Sequence, residues 1–126
     1  MKLKTMCVVI DSGNSDELSD FYQKLLGWKK IKPDDPDDEW IYVINDSNDG
    51  VSIELIFQEI KDYKRPHWPA TSDNQQQMMH LDFHVDDVEE GVRHALSCGA
   101  ELSKIQLEDS WRVMLDPAGH PFCILP

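Results

Sequence analysis

Hydrophobic and polar positions along this chain form one pattern, stated twice. An apolar, β-branched run at Cys7-Val8-Val9-Ile10-Asp11 reads as a strand over about residues 5–11. Leu18, Phe21, Tyr22, Leu25 and Leu26 then recur at the three/four spacing of one helix face. Asn14 or Ser15 caps that helix, Asp16 and Glu17 occupy its first turn, and Gly27 closes it. Residues 28–31, 40–45 and 51–58 read as strands, the last two joined by the turn-forming cluster Asp46-Ser47-Asn48-Asp49-Gly50. The order repeats from Met78. Residues 78–85 predict a strand, and Asp86-Asp87 caps a helix that packs through Val88, Val92, Ala95 and Leu96 and ends at Gly99. Residues 101–105, 111–115 and 121–125 predict strands, with a tight turn at Asp116-Pro117-Ala118-Gly119.

Each half therefore reads strand, helix, strand, strand, strand. Self-similarity of this kind marks two copies of one supersecondary unit. The expected fold is α+β, a single domain over residues 1–126 with modules at about 1–58 and 78–126. In this alignment Cys7 is equivalent to His80, and Glu54 to Cys123. The connecting segment, residues 59–77, has no period. It carries Pro66 and Pro69 around His67-Trp68 and then Gln75-Gln76-Gln77. It reads either as a functional lid or as a surface connection with Trp68 packed against the body.

A helix covers one face of each sheet, so the other face must meet the partner half or enclose something. The two-residue period of a strand sorts the side chains. Met6, Val8 and Ile10 go to the helix and Cys7, Val9 and Asp11 opposite. Val51, Ile53, Leu55 and Phe57 form the core set, with Ser52, Glu54, Ile56 and Gln58 opposite. Leu81, Phe83 and Val85 face the helix, leaving His80, Asp82 and His84 on the other side. Phe122 and Ile124 pack inward, opposite Cys123 and Leu125. The helix-free face thus gathers Cys7, Glu54, His80, Asp82 and Cys123, a few polar groups among apolar walls, as ligand pockets show.

Charge and cysteine usage narrow the options. The chain has 126 residues, 24 acidic and 12 basic, for a formal net charge of -12. That argues against nucleic acid and anionic membranes as partners. The run Asp34-Asp35-Pro36-Asp37-Asp38-Glu39 reads as a solvated loop, because it lacks the glycine and spacing of a calcium loop. Cys7, Cys98 and Cys123 are scattered, with no Cys-x-x-Cys pair, and no apolar run suits a signal peptide or membrane span. A soluble, reducing, cytoplasmic setting is expected.

Three stretches carry a family resemblance. They are Glu17-Leu18-Ser19-Asp20-Phe21-Tyr22 to Leu26-Gly27-Trp28, Met79-His80-Leu81-Asp82-Phe83-His84-Val85-Asp86-Asp87, and Asp116-Pro117-Ala118-Gly119-His120-Pro121-Phe122-Cys123. With them the chain resembles the vicinal oxygen chelate superfamily, which includes glyoxalase and bleomycin-resistance proteins. Arg65-Pro66-His67-Trp68-Pro69 and the glutamine run resemble a further glyoxalase-like subgroup. The resemblance implies two βαβββ modules whose mixed sheets curl around a cleft, a small-molecule ligand, and assembly as a homodimer. In metal-dependent members, ligands come from the first, fourth, fifth and eighth strands, commonly as two His or Gln and two Glu. Those places here hold Cys7, Glu54, His80 and Cys123, so Glu54 and His80 match and the two cysteines depart.

Several readings of that site stay open. Two thiolates, one imidazole and one carboxylate could hold Zn²⁺, but as a closed structural site. The cysteines could instead be small buried hydrophobes, with His80 bonded to Asp82 or Glu54. Without metal, His80 and Glu54 are the catalytic candidates, His80 as a general base oriented by Asp82 or Glu54, and Cys7 or Cys123 beside His80 an activated thiol. Trp68, Trp111, Trp40, Tyr42 and Phe57 could line a cleft for a flat ligand or simply pack. Lys29, Lys30, Lys61, Lys64 and Arg65 read as solvated charges, and His120 as a turn residue. The functional expectation is a small organic molecule held in a sheet-lined cleft without the usual metal. The alternative is a metal-dependent lyase, isomerase, dioxygenase or group-transferase of glyoxalase type.

Overall fold

Side-chain caps fix where the two helices start. Asn14 Oδ1 accepts from the Glu17 amide at 3.1 Å, and Asp87 Oδ1 from the Glu90 amide at 3.0 Å. Each thus satisfies one of the amides a helix start leaves unpaired. Gly27 and Gly99 close the helices in the left-handed conformation. The computed structural model describes residues 1, 5–46 and 53–126. In chain order it contains β1 (Met6–Ser12), α1 (Ser15–Leu26), β2 (Lys29–Ile31), β3 (Ile41–Ile44), β4 (Ile53–Glu59), β5 (Leu81–His84), α2 (Val88–Cys98), β6 (Glu101–Leu102), β7 (Arg112–Leu115) and β8 (Pro121–Leu125). The expected turn at 47–50 and the strand start at Val51 and Ser52 lie outside the described residues.

The chain divides into two compact units, Met1–Tyr63 and Lys64–Pro126. Each is one βαβββ module with a four-stranded mixed sheet, ordered β1-β4-β3-β2 in the first and β5-β8-β7-β6 in the second. In each, the first strand pairs parallel with the last, and the remaining pairs are antiparallel. The α+β expectation and the repeated module order both hold.

In the first unit, Leu18, Phe21 and Tyr22 of α1 are buried, as are Ile41, Val43, Leu55 and Phe57 of the sheet. Tyr22 and Phe57 stack obliquely, with ring centroids 5.6 Å apart. In the second unit α2 comes close to β8: a methyl added at Gly91 would sit 3.0 Å from Ile124 Cγ2. Phe83 and Phe122 meet edge to face at 5.7 Å. These contacts place Phe57, Ile124 and their alternate neighbours on the helix side. Leu96 departs from the expected packing set and is 45% exposed, leaving Val92 and Ala95 as the buried residues of α2.

β2, β3 and β7 are trimmed by one or two residues relative to the predicted strands, and β5 and β6 by more. β5 begins at Leu81, and Met78 and Met79 before it are exposed. β6 ends at Leu102, because a side chain takes over the ladder. Gln106 Nε2 donates to Val113 O and to Ser103 O, while Gln106 Oε1 accepts from Val113 N. Ser103 N also donates to Val113 O at 3.0 Å, so the carboxamide takes over beside the last backbone bond of the ladder.

The Asp116-Pro117-Ala118-Gly119 turn is held from within. The Asp116 side chain is fully buried and accepts from the amides of Ala118 and His120, each at 2.9 Å, with His120 Nδ1 at 2.7 Å. Arg65, expected as a solvated charge, instead donates from Nη1 to Pro117 O at 2.9 Å. Its side chain lies where a Cβ at Gly119 would be, and Gly119 has φ +90°, so this position needs glycine on both counts. The 64–77 segment is therefore tied to the second unit at its start. It is also closed on itself, His67 N donating to Gln75 O at 2.7 Å.

Lys30 was likewise expected to be solvated. Its side chain is only 16% exposed, and its ammonium reaches Asp20 at 2.8 Å and Asp16 at 3.3 Å. Lys32 adds a contact to Asp16 at 3.1 Å. Hydrogen bonds from Lys32 and Lys30 hold the Asp16 carboxyl below its ordinary 3.8. A lowered carboxyl pKa stabilises the fold above the unfolded value, and that contribution is lost as pH falls through the folded one. Asp16→Asn should cost about 0.5 kcal/mol at neutral pH, the scale of exposed pairs. The cost should fade as pH drops below 3.8 in urea titrations; a cost that persists in acid would contradict the ion-pair account. Asp116→Ala should cost about 3 kcal/mol by urea unfolding, because it strips a buried acceptor from three donors. A loss within about 0.5 kcal/mol of zero would show that the turn does not depend on it.

Candidate functional site on the helix-free sheet faces

Parallel pairing aligns specific side chains across neighbouring strands. In the first unit Cys7 lies opposite Glu54, and its thiol donates to Glu54 Oε2 at 3.6 Å. In the second, Asp82 lies opposite Cys123. His80 stands two positions before Asp82, hence on the same side of the chain, and its Nε2 is 3.5 Å from Asp82 Oδ1. Ligand atoms of His80, Asp82 and Cys123 all fall within 4.8 Å of one another. Since α2 packs on Ile124, Cys123 is directed to the opposite face, as the period predicted. His80 and Asp82 are exposed and Cys123 is buried.

The equivalence between the halves is thereby refined. Counted back from the helix caps, Cys7 matches His80. Counted across the ladder from Glu54 and Cys123, it matches Asp82. The segment from strand to helix is two residues longer in the first unit, so both alignments keep the same face but differ by one step along it.

Desolvation, and then a neighbouring carboxylate, raises the pKa of both thiols. Cys123 is pushed from 9.0 to about 11, first by burial, then by the charge of Asp82 and a hydrogen bond to it. Cys7 is raised by desolvation, then by the charge of Glu54 and its hydrogen bond. A raised pKa makes the thiolate scarcer, and a thiolate is the form in which cysteine acts as a nucleophile.

The aromatic candidates are placed less specifically. Trp111 is half-buried just ahead of β7, and Trp40 is 38% exposed ahead of β3. Trp68 is half-buried in the 64–77 segment, where its Nε1 and Gln77 Oε1 are buried without a hydrogen-bond partner among the described residues. His120, read as a turn residue, is the partner of Asp116. Two surface depressions, one lined by residues 106–110 and one by Gly13, Glu39 and residues 59–63, include none of the candidate residues.

The donor set bears on metal binding. Zinc bonds of about 2.0–2.3 Å place tetrahedral ligands roughly 3.5 Å apart, and the His80–Asp82 separation is 3.5 Å. One imidazole, one carboxylate and one thiol, once deprotonated, fit Zn²⁺ better than Mg²⁺ or Ca²⁺. The sequence pattern put Asp82 on this face but did not single it out as a ligand. The signal that would have done so is its position directly opposite Cys123.

Because the Cys123 pKa is raised, folding stability is highest below the unfolded value and is lost as pH rises through the folded one. The protein should lose stability between pH 9 and about 11. Asp82→Asn should lower the Cys123 thiol pKa and speed its alkylation by iodoacetamide at mildly alkaline pH. An unchanged or slower rate would contradict the assigned role of the carboxylate.

Comparison with known proteins agrees with this architecture. A family profile described as a glyoxalase-like domain matches residues 7–125. A search of curated proteins found no match. Among solved structures, a glyoxalase/bleomycin resistance protein/dioxygenase family enzyme from Burkholderia phytofirmans superposes with a TM-score of 0.60, at 22% identity over 94% of each chain. A trypanothione-dependent glyoxalase I from Leishmania major gives 0.59 at 19% identity, over 98% of this chain and 86% of that one. TnmS3, an antibiotic binding protein from Streptomyces sp. CB03234, gives 0.57 at 14% identity, over 96% and 93%. At these identities the likeness speaks to fold. From Cys7 to Leu125, then, this chain belongs to the glyoxalase-like family of the vicinal oxygen chelate superfamily.

Proposed function

We propose that this protein binds a small organic molecule against the helix-free side of its sheets, with His80, Asp82 and Cys123 as the principal polar contacts. The observation that supports this most is the convergence of those three side chains within 4.8 Å. Two of them face solvent and the third forms a buried floor beside fully buried Val113. Cys7 and Glu54 are the corresponding polar pair of the first unit, and Trp68 and Trp111 are aromatic candidates for the wall. Cysteine at two of the four places of the usual oxygen-and-imidazole quartet supports a reading without the usual metal. The net charge of -12 favours a neutral or cationic ligand over nucleic acid or an anionic membrane. Among the described residues no helix is long and apolar enough to cross a membrane. A cytoplasmic homodimer is the assembly we propose with it.

The glyoxalase-type enzyme is the second reading, favoured by the same donor cluster, with His80 or Glu54 as the base. Protein-observed NMR screening of a library of small organic molecules on chelator-treated protein tests the first. Fragments that bind should shift the backbone amides of His80, Asp82 and Cys123, and Asp82→Ala should weaken them about tenfold, the loss expected of one buried polar contact. Fragments that bind only at the depression formed by Gly13, Glu39 and residues 59–63, or no binding at all, would contradict the proposal.

A further inference from the structure

We propose that residues 64–77 form a strap that opens locally beside His80, with Arg65 as its latch. This names a regulation of the proposed binding site, and it rests on that function only in giving His80 a role there. Register places the strap. Leu81 pairs with Phe122, so β5 and β8 start at the same end of the second sheet. The turn before β8 and residues 78–80 before β5 therefore share that end. Arg65 is bonded to the turn, and Gln77 leads into His80 through exposed Met78 and Met79. Both ends of the strap thus lie at the end of the sheet where His80 stands.

The strap is closed on itself. His67 N donates to Gln75 O at 2.7 Å, and His67 forms an isolated bridge with Gln76. Asn74 Nδ2 donates to Thr71 Oγ1 at 2.8 Å within the same loop. Every residue from 64 to 77 is exposed or half-buried. Among the described residues, its polar ties to the rest of the unit run through Arg65, which donates to Pro117 O at 2.9 Å and lies 4.0 Å from Glu101. A segment with few buried apolar groups opens at a fraction of the free energy of global unfolding. The closed form also carries a penalty. Trp68 Nε1 and Gln77 Oε1 are buried without a partner among the described residues. Opening admits water to both and recovers the cost of burying a donor and an acceptor unpaired. Closure then depends on Arg65, whose side chain also lies over Gly119. His80 follows close behind Gln77 in the chain, so opening displaces its imidazole from Asp82, 3.5 Å away in the closed form.

Native-state hydrogen exchange, followed by NMR on the whole chain without ligand, tests the opening. The His67 amide should be protected at least about hundredfold less than the slowest amides of β8. Arg65→Ala should lower that protection about tenfold more, as expected when a hydrogen bond from a charged group is lost. The β8 amides should stay within about twofold, because the opening is local. In the same variant the His80 ring resonances should shift or broaden, while those of His94 on α2 stay in place. The wild-type gradient needs no variant. A His67 amide as protected as β8, no change in Arg65→Ala, equal loss of protection at His67 and β8, or an unmoved His80 ring would each overturn the proposal. No reading here uses a ligand, so failure is distinguishable from failure of fragment binding.

Discussion

In each unit the first and last strands run parallel, and a parallel pair requires a long crossover between them. The helix and two antiparallel strands supply that crossover, so the β1–β4 and β5–β8 pairs each join the two ends of a whole βαβββ module. The pairing fixes two things together. It sets which residues face the helix, and it sets which polar residues stand opposite each other on the other side. Cys7 meets Glu54, and Asp82 meets Cys123, as a consequence of register. A slip of one residue in either strand of a pair would turn its side chain to the helix face and part it from its partner.

That register carries chemical consequences. Each pair puts a carboxylate beside a thiol, and burial first, then the carboxylate's charge and hydrogen bond, raise the thiol's pKa. The arrangement suits a binding surface or a metal ligand set and works against a cysteine nucleophile, which needs positive charge nearby. The rest of the second unit supports its half rigidly. Asp116 organises the turn before β8, Arg65 closes over that turn, and Gln106 replaces backbone ladder bonds at β7. Side chains held by such second-order contacts are positioned more closely than loops can achieve.

Much of this was legible in the residues. The helices announced themselves through Asn14, Asp87, Gly27 and Gly99, and the two-residue period assigned Cys7, Glu54, His80, Asp82 and Cys123 to one type of face. Non-local pairing was not legible. Period alone says which side Asp82 is on, but only the β5–β8 register sets it against Cys123. Gln106 was invisible for the same reason: a carboxamide that imitates backbone looks like any polar loop residue until Val113 is seen opposite it. Arg65 and Lys30 looked like solvated cations because their acceptors, Pro117 O and Asp20, are distant in sequence or off the sheet pattern. Leu96 was misplaced because helical spacing marks a stripe without marking its edge.

The central claim is the register of β5 on β8, and cross-strand nuclear Overhauser effects measure it most directly. The account predicts backbone contacts consistent with Asp82 opposite Cys123 and Phe83 opposite Ile124. A ladder displaced by one residue, with Leu81 or Phe83 opposite Cys123, would put the carboxylate and the thiol on different faces and contradict it.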